Sequence, residues 1–456
     1  MMEFAEIRKF HFVGIGGIGM SGLAELLLRD GYEVSGSDLE DSELLDRLRH
    51  LGARISIGHH AGSLQEAEAV VFSSAVPPDS PELVAAADRR LLVIPRGELL
   101  AQLMGKKKGI TIAGTHGKTT TTSMIGLLLL ESGLDPTIVV GARFEAIGSN
   151  ARRGKGEWFV AEADESDRSF LRLSPVCSVV TNIGLDHMDE YRDLEDLQKA
   201  FLEHMNKTSG GGLVVACGED ANLAPILKKL HRRVVTYGLE PGTDICARQL
   251  ELSWLRSSYD CYEQGNCLGR IELSVPGRHN VLNSLAAVAV GRYLVKLPFE
   301  SIQRSLAAFR GVERRLQWKG EKGGVWVVDD YGHHPEEIRV TLEACRVGGR
   351  RTVVVFQPHR YTRTQHLMEE MGRCFADADS LYLMDIYPAG EDPIAGVTSE
   401  RLANEILRHR PVRYVADREE LLAVLKKETK AGDLLLTLGA GNVWKIGEAF
   451  LESDPE

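Results

Sequence analysis

The sequence predicts an α/β protein with three domains in series, in which two Rossmann-like doubly wound sheets flank a central α/β domain that carries a P-loop. Short apolar runs alternate with helical patterns, which is typical of parallel sheets with crossover helices. A glycine loop follows the first strand of each of the first two alternating stretches. The alternation restarts after a polar break at 105–109 and again near Gly311. We therefore expect domains at 1–106, 107–310 and 311–456.

The expected elements follow in order along the chain. The first domain has apolar runs in "FHFVGI", "EVSGSD", "AVVFSSAV" and "LLVIPRGELL". The second has "GITIAG", a long helix from about Lys118 to Ser132, then "WFVAEAD", "CSVVTNIGLDH" and "GGLVVAC", with a more antiparallel patch around 233–276. The third has five strands, in "GVWVVDDYG", "RTVVVFQPH", "SLYLMDIY", "VRYVAD" and "DLLLTLGAG".

Composition limits the classes of function. Of 456 residues, 43% are hydrophobic and 26% charged, as in soluble globular proteins. The net charge of −11 argues against general nucleic-acid binding, which needs a basic face. The seven cysteines include no C-x-x-C pair, so they form neither a disulfide framework nor a zinc site. Without an apolar run of roughly 18 residues, no membrane span is expected, and the expected location is cytoplasmic.

The first glycine loop, Gly14-Ile15-Gly16-Gly17-Ile18-Gly19, follows a strand and opens a helix. In that context a pyrophosphate can approach backbone N–H groups at the helix N-terminus. Asp38 ends the next strand, 19 residues past Gly19, where a carboxylate can accept a hydrogen bond from a ribose hydroxyl. A tight turn that binds nothing is the alternative, and the motif does not separate NAD from FAD or a UDP-sugar.

The second loop, "GTHGKT", also joins a strand to a helix. Its first glycine, Gly114, comes two residues later than the usual P-loop spacing, which would place it at Ile112. Lys118 can reach the β- and γ-phosphates of a nucleotide, and Thr119 can place its hydroxyl on Mg²⁺. The alternative is a chance Gly-Lys-Thr in an ordinary loop.

Acidic groups follow the next strands. Glu162 ends a strand where nucleotide-hydrolysing folds place a metal-binding carboxylate. For Asp164, Glu165 and Asp167 we expect a solvated acidic turn. His187, flanked by acidic residues at the end of another strand, is either structural or a metal ligand.

Polar clusters mark the last part of the chain. Asn280 and Asn283 lie on one helix face and suit the edge of a base, although Asn280 could instead cap the helix. Arg360 and Arg363 beside His359 can hold a carboxylate or a phosphate bidentately. A basic surface turn is the alternative for this cluster.

These stretches together resemble the Mur ligase family, the ATP-dependent amino-acid ligases of peptidoglycan precursor synthesis. "GTHGKTTTT" is similar to that family's own phosphate loop, in which the first glycine stands at the Gly114 position. "EADESD", "TNIGLDHMD", "GRHNVLNSLAA", "GVERR" and "DDYGHHP" follow in the family's order over nearly the whole chain. The displaced glycine is therefore the family's signature rather than a defect.

The resemblance implies a role for each matching residue. The ATP-binding residues would be Gly114, Thr115, His116, Gly117, Lys118, Thr119, Thr120, Asn280, Asn283, Arg314 and Asp330, with the asparagines facing adenine, Asp330 the ribose and Arg314 a phosphate. The Mg²⁺ ligands would be Thr119, Glu162 and His187. The UDP-sugar would lie on Gly16, Gly17, Ile18, Gly19, Ser37, Asp38 and Ser73. The amino acid would lie among Tyr331, His333, His359, Arg360 and Arg363. Lys118, His187, Arg314 and His333 would be the catalytic groups.

The implied reaction consumes ATP with Mg²⁺ and joins L-alanine to UDP-N-acetylmuramate, in a monomer or weak homodimer. Family members that attach a preformed tripeptide to the same sugar nucleotide are the alternative, but they typically carry a cysteine in the first loop, where this chain has Gly16 and Gly17. An NAD-dependent oxidoreductase would leave Lys118 and Glu162 unexplained. A non-enzymatic nucleotide sensor is the remaining rival.

Overall fold

The computed structural model describes residues 6–186 and 190–453. By their mutual contacts they form two compact units. The first runs to Gln249 and includes Asp260–Ile271 and Leu282–Phe309; the second comprises Leu250–Tyr259, Glu272–Val281 and the chain from Arg310 onward. Across the described ranges, no helix combines the length and the apolar character that crossing a bilayer requires. None of the seven cysteines is in a disulfide.

The N-terminal sheet has five parallel strands in the order β3-β2-β1-β4-β5. The strands are β1 (Lys9–Val13), β2 (Glu33–Asp38), β3 (Arg54–Ile57), β4 (Ala69–Phe72) and β5 (Leu92–Pro95). The helices are α1 (Ile18–Arg29), α2 (Glu43–His50), α3 (Pro81–Asp88) and α4 (Arg96–Met104). The strand order reverses between β1 and β4, and ligands of doubly wound sheets bind at the carboxyl ends of such strands.

The central sheet has ten strands in the order β15-β14-β13-β12-β11-β10-β6-β9-β7-β8. The strands are β6 (Lys108–Ala113), β7 (Thr137–Phe144), β8 (Ser149–Arg152), β9 (Trp158–Glu162), β10 (Cys177–Val180), β11 (Leu213–Cys217), β12 (Val234–Gly238), β13 (Ile245–Leu252), β14 (Ser257–Glu263) and β15 (Asn266–Leu273). The helices are α5 (Lys118–Glu131), α6 (Leu194–Asn206), α7 (Ala224–Leu227), α8 (Arg278–Ala289) and α9 (Phe299–Ala308). The expectation of an antiparallel patch is wrong for β12, which pairs in parallel with β11 and β13.

The C-terminal sheet has six strands in the order β16-β17-β21-β18-β19-β20. The strands are β16 (Gln317–Lys322), β17 (Val325–Asp330), β18 (Thr352–Phe356), β19 (Ser380–Leu383), β20 (Arg413–Tyr414) and β21 (Leu434–Leu438). The helices are α10 (Pro335–Arg346), α11 (Tyr361–His366), α12 (Met368–Arg373), α13 (Ser399–Leu407), α14 (Arg418–Glu428) and α15 (Trp444–Glu452). An apolar cluster covers each face of the parallel strands, which explains why those strands read as continuous apolar runs. The five expected strands are all present, and β16 adds an antiparallel edge.

Helix α1 packs against the β7–β8 hairpin of the central sheet through buried polar contacts. Glu25, on α1, accepts hydrogen bonds from Arg47 Nε at 2.9 Å and from Ser149 Oγ at 2.8 Å. Asn150 Nδ2 donates to the carbonyl of Ile18 at 2.5 Å, at the very start of α1. Because a buried carboxylate must be paired, this cluster fixes the first glycine loop relative to the central sheet.

Candidate active site

The first glycine loop lies at the carboxyl end of β1 and leads into α1. Gly14 has φ +75°, a conformation that side chains with a Cβ rarely adopt. The Gly16 amide donates to Asp38 Oδ2 at 2.8 Å, and a Cβ on Gly16 would lie 2.9 Å from the same oxygen. Helix α1 begins at Ile18, and its N-cap residue, Gly17, supplies no side-chain hydrogen bond. Asp38 therefore braces the loop; its expected bond to a ribose stays a prediction.

Ser37 does not present its hydroxyl to this loop. Its side chain is fully buried, and Oγ donates to Glu82 Oε2 at 2.7 Å and lies 2.8 Å from His59 Nδ1. The Ser37 carbonyl instead accepts from the amides of Gly14 at 2.9 Å and Ile15 at 3.0 Å, and the predicted contact of Ser37 with the UDP moiety stays a prediction. Ser73 directly follows β4, the strand that pairs with β1, and is half-buried, so its predicted contact stays open.

The second loop joins β6 to α5, and its glycines are sterically required. Gly114 has φ +137°, and a Cβ there would lie 2.0 Å from Thr181 Oγ1. Gly117 has φ +83° and caps α5, which begins at Lys118 as expected. The loop is braced from the end of β10: the His116 carbonyl accepts from Thr181 Oγ1 at 2.6 Å, and the His116 amide donates to Asn182 Oδ1 at 2.9 Å.

Lys118 is held inside this loop. Its Nζ donates to the carbonyl of Gly114 at 2.6 Å, to that of Thr115 at 3.2 Å, and to Glu165 Oε1 at 2.6 Å. Burial opposes the charge of the ammonium, but Glu165 and then Asp164 outweigh it and raise the pKa of Lys118. The loop thus carries a fully charged lysine at the position where phosphate groups are expected.

The acidic segment after β9 is not the solvated turn that we expect from its sequence. The Glu165 side chain is 1% exposed, and burial, opposed by Lys118 and aided by Asp164, raises its pKa to about 7. Asp164 Oδ2 accepts from Arg96 Nη2 at 2.8 Å, and Asp167 Oδ2 lies 3.5 Å from the same nitrogen. Burial opposes ionisation of Asp164, yet Arg96 and Lys118 lower its pKa to about 2.

Two side chains whose oxygen atoms could coordinate Mg²⁺ lie next to each other beside the loop. Thr119 Oγ1 donates to Glu162 Oε2 at 3.2 Å, so the hydroxyl and the carboxylate predicted as ligands are adjacent. Glu162 is held from the other side by the Gly141 amide at 2.5 Å, and a Cβ on Gly141 would lie 2.7 Å from its Oε2. This hard-oxygen pair fits Mg²⁺. The third predicted ligand, His187, lies outside the described residues.

The two asparagines of α8 differ in their surroundings. Asn283 is buried, accepts from Thr121 Oγ1 at 3.1 Å, and lies so close to Gly117 that a Cβ there would be 2.7 Å from its Oδ1. Asn280 Nδ2 donates to the carbonyl of Pro276 at 2.7 Å. Asn283 therefore contacts the phosphate loop, and the expected contacts of both residues with adenine stay predictions.

Arg314 is anchored within the C-terminal domain. Its Nε donates to Asp329 Oδ2 at 2.9 Å, and its Nη2 donates to the carbonyl of Gly439 at 2.6 Å. Burial raises the pKa of Asp329, against the opposing effect of Arg314. The predicted phosphate contact of Arg314 stays a prediction.

Asp330, which is predicted to bind the ATP ribose, accepts hydrogen bonds from the protein itself. Its Oδ2 accepts from the Leu316 amide at 2.8 Å, and its Oδ1 accepts from the Gly332 amide at 2.8 Å and from Thr341 Oγ1 at 3.1 Å. Burial, opposed by Arg315, raises the pKa of Asp330 to about 6. This carboxylate shapes the loop after β17, and its ribose contact stays a prediction.

The residues predicted for the amino acid converge at the carboxyl ends of β17 and β18. The ring centroid of His333 lies 5.4 Å from that of Tyr331 and 5.7 Å from that of His359. Arg363 Nη1 donates to His359 Nδ1 at 3.2 Å. Burial first, then His333 and Arg363, lower the pKa of His359 to about 3, so this imidazole is neutral at physiological pH. Arg360 is strained at φ +70°, and its Nε is buried.

Sequence reasoning missed three further residues of these clusters: Arg96, Asp329 and Tyr387. The Tyr387 ring stacks on His359 at 5.7 Å and 10°, and its carbonyl accepts from the Arg360 amide at 2.8 Å. Tyr387 follows β19 at the same sheet edge, which is the signal that could have found it. Arg96 and Asp329 carry no signal beyond their charge, because their partners are distant in sequence.

Family comparisons cover almost the whole chain. Residues 9–108 match the model described as Mur ligase family, catalytic domain; residues 112–291 match the Mur ligase middle domain; and residues 314–441 match the Mur ligase, glutamate ligase domain. The predicted boundaries at 106 and 310 stay predictions.

Individual relatives agree with these matches. UDP-N-acetylmuramate–L-alanine ligases from Geobacter sp. (strain M21) and from Geobacter sulfurreducens are each 53% identical to this chain, with 98% of both chains covered. The crystal structure of a UDP-N-acetylmuramate–alanine ligase from Thermotoga maritima superposes with a TM-score of 0.85 at 29% identity, covering 97% of this chain and 98% of the other. A murein peptide ligase from Psychrobacter arcticus shares the fold, with a TM-score of 0.75 at 21% identity and coverage of 97% and 98%. The expected three-domain α/β fold is confirmed.

Proposed function

Since this chain belongs to the Mur ligase family, we propose that it joins L-alanine to the lactyl carboxylate of UDP-N-acetylmuramate, using ATP, in peptidoglycan precursor synthesis. The observation that carries the proposal is the braced loop of Gly114 to Lys118, with Thr119 and Glu162 adjacent at the same sheet edge. The names of relatives at 50–53% identity support alanine as the amino acid.

The reaction must turn a stable carboxylate into a leaving group. A carboxylate oxygen attacks the γ-phosphorus, the bond from that phosphorus to the bridging oxygen breaks, and ADP leaves. The alanine amine then attacks the acyl carbon, and the tetrahedral intermediate expels phosphate while the nitrogen loses a proton. Both partners of the first step are anions, so catalysis requires cations and donors placed where their charge accumulates.

The second loop supplies that charge. Lys118 exchanges Glu165 for the β- and γ-phosphates when ATP binds, and the amides of the first turn of α5 bind phosphate oxygens. Thr119 and Glu162 would hold Mg²⁺, with His187 proposed for a second ion. Mg²⁺ there would neutralise phosphate charge and orient the oxygens for in-line transfer.

The C-terminal cluster would hold alanine. Arg360 and Arg363 bind its carboxylate, since two guanidinium groups match that geometry. His359 is unsuited to accept the amine proton because its Nδ1 already accepts from Arg363. His333 is the better base: its Nδ1 donates to the Tyr331 carbonyl at 3.1 Å and so carries the hydrogen, which makes Nε2 the basic nitrogen of the neutral ring.

The remaining assignments complete the proposal. Asn280 and Asn283 face adenine, Asp330 the ribose, and Arg314 a phosphate. The enzyme acts in the cytoplasm, in keeping with its seven unpaired cysteines, as a monomer or weak homodimer, with no nucleic acid as partner.

One assay tests the proposal: ADP release with ATP, Mg²⁺ and UDP-N-acetylmuramate, with alanine, serine, glycine or the tripeptide added in turn. We expect turnover with alanine and none with the Lys118→Ala variant. Turnover with the tripeptide alone would establish the recycling ligase instead. Nicotinamide binding without ADP release would favour the oxidoreductase, and a Lys118→Ala protein that keeps its cellular role would favour a nucleotide sensor.

A further inference from the structure

The first glycine loop has no cation of its own. Residues 14–22, "GIGGIGMSG", contain neither lysine nor arginine, whereas the second loop contains Lys118. The N-terminus of a helix offers about half an elementary positive charge to a diphosphate, and a neighbouring cation would add to that attraction. A cation that strengthens anion binding at this loop would have to come from elsewhere in the fold.

Arg96 lies against this loop from another element. It is the first residue of α4, directly after β5. A Cβ on Gly19 would lie 2.9 Å from Arg96 Nη1 and 3.2 Å from Arg96 Cδ. Any larger residue at position 19 would therefore displace the Arg96 side chain. Gly19 is the second residue of α1, and the guanidinium therefore lies at the N-terminal end of that helix.

The opposite edge of the guanidinium is fixed by the central domain. Nη2 donates to Asp164 Oδ2 at 2.8 Å and lies 3.5 Å from Asp167 Oδ2. Among residues 6–186 and 190–453, no protein acceptor bonds to Nη1. One edge of Arg96 is thus held in place, while the edge beside the glycine loop has its donors available.

We propose that Arg96 is an anion-binding residue of the first glycine loop, whose Nη1 edge binds the diphosphate of the UDP-sugar while Asp164 orients its other edge. The inference rests on the proposed function, since it assigns the ligand of that loop. A guanidinium suits the task because its planar donors can bind a carboxylate and a phosphate at once. The acidic segment after β9 contacts both cations: Glu165 binds Lys118, and Asp164 binds Arg96. One segment therefore positions the cations of both loops.

A purely structural role for Arg96, as a bridge between α4 and the central domain, predicts different behaviour. The chain offers a matched control for that role: Arg172 Nη1 donates to Glu98 Oε2 at 3.0 Å, which is also a bridge to α4. This second bridge does not involve the glycine loop. Loss of the Arg96 bridge should cost more stability, because the Arg96 side chain is 19% exposed and that of Arg172 48%, but only Arg96 should affect a diphosphate ligand.

The test measures binding of UDP-N-acetylmuramate, UDP and uridine by calorimetry, without ATP, to the wild type and to Arg96→Ala, Asp164→Asn and Arg172→Ala variants. We expect Arg96→Ala to weaken UDP and UDP-sugar binding roughly ten- to a hundredfold, the range of charge-assisted hydrogen bonds, and to leave uridine affinity unchanged. Asp164→Asn keeps the guanidinium, so its loss should be severalfold only. Arg172→Ala should bind all three ligands like the wild type.

Two results would overturn the inference: unchanged UDP affinity in Arg96→Ala, or an equal loss for uridine and UDP, which would show a structural effect. ATP affinity of each variant, measured in parallel, reports whether the second loop is intact. If the wild type itself binds no UDP-sugar while still binding ATP, the proposed function fails, and that outcome is distinct from a failure of Arg96 alone.

Discussion

Replacing Gly114 by alanine tests the phosphate loop where its geometry leaves least room. The added Cβ would lie 2.0 Å from Thr181 Oγ1 and 3.1 Å from both the nitrogen and the oxygen of Asn182. The first distance is far below van der Waals contact, so the Thr181 side chain must rotate. Its hydroxyl then loses its bonds to the carbonyls of His116, at 2.6 Å, and Ala113, at 3.3 Å.

The cost follows from these contacts. Loss of the one hydroxyl hydrogen that these two carbonyls share leaves buried acceptors unsatisfied and costs roughly 1–3 kcal/mol, and alanine at φ +137° adds about 1–3 kcal/mol of backbone strain. The free energy of unfolding should therefore fall by about 2–6 kcal/mol, a large part of the usual stability of a domain. The loop that holds Lys118 must also shift, so ATP affinity should fall at the same time.

Denaturant unfolding and ATP calorimetry measure both effects, and Gly242→Ala is the matched control. Gly242 has φ +113° with nothing within 4 Å of its Cβ position, so alanine there suffers strain without a clash. The excess cost at Gly114 should be relieved in part by adding Thr181→Ala. If Gly114→Ala is no more destabilising than Gly242→Ala, the steric argument is refuted.

Three further predictions concern charge and shape around the two clusters. Glu165→Gln removes the carboxylate that competes with the ATP phosphates for Lys118, so ATP should bind severalfold tighter. The ligand-free protein should lose on the order of 3 kcal/mol of stability. Weaker ATP binding in calorimetry would contradict this prediction. Because the pKa of His359 falls from 6.5 to about 3 on folding, the unfolded state takes up a proton first, and stability should fall as pH drops from 6.5 toward 3. Between pH 7 and pH 5 this loss of unfolding free energy is about 2 kcal/mol at most, and it should vanish in His359→Phe. An equal pH dependence of unfolding in the wild type and in His359→Phe would count against the prediction. Tyr387→Ala should raise KM for alanine severalfold, while Tyr387→Phe, which keeps the stacked ring, should match the wild type in ADP-release kinetics; equal KM in both variants would exclude Tyr387 from the pocket.

The regular elements could be predicted because their signals are local. The helix expected from Lys118 to Ser132 is found at Lys118–Glu131, and the five strands of the third domain are all present. Strand β16 was missed because "QWKGEK" is polar and lies at a sheet edge, where burial imposes no apolar pattern. The parallel pairing of β12 was missed because its partners are chosen by the sheet and not by its own residues.

In the site, the structure departs from the local sequence pattern where side chains meet partners that are distant along the chain. "DESD" reads as a solvated turn, yet Glu165 is buried because the ammonium of Lys118, 47 residues away in sequence, lies 2.6 Å from it. Ser37, the next-to-last residue of β2, likewise donates its hydroxyl to Glu82, 45 residues away, in the core. Distant partners of this kind leave no trace in local composition.

By itself, the sequence determined which residue types stand at the ends of the strands: the glycines of both loops, Lys118 with Thr119, Glu162, and the His359–Arg363 cluster. Strand ends and loop glycines follow from local sterics and from apolar periodicity, and both are written along the chain. Only the tertiary structure decided which charges meet. The pairing of Arg96 with Asp164 across 68 positions depends on how sheets and helices pack, because electrostatic partners are selected by distance in space and not by distance in sequence.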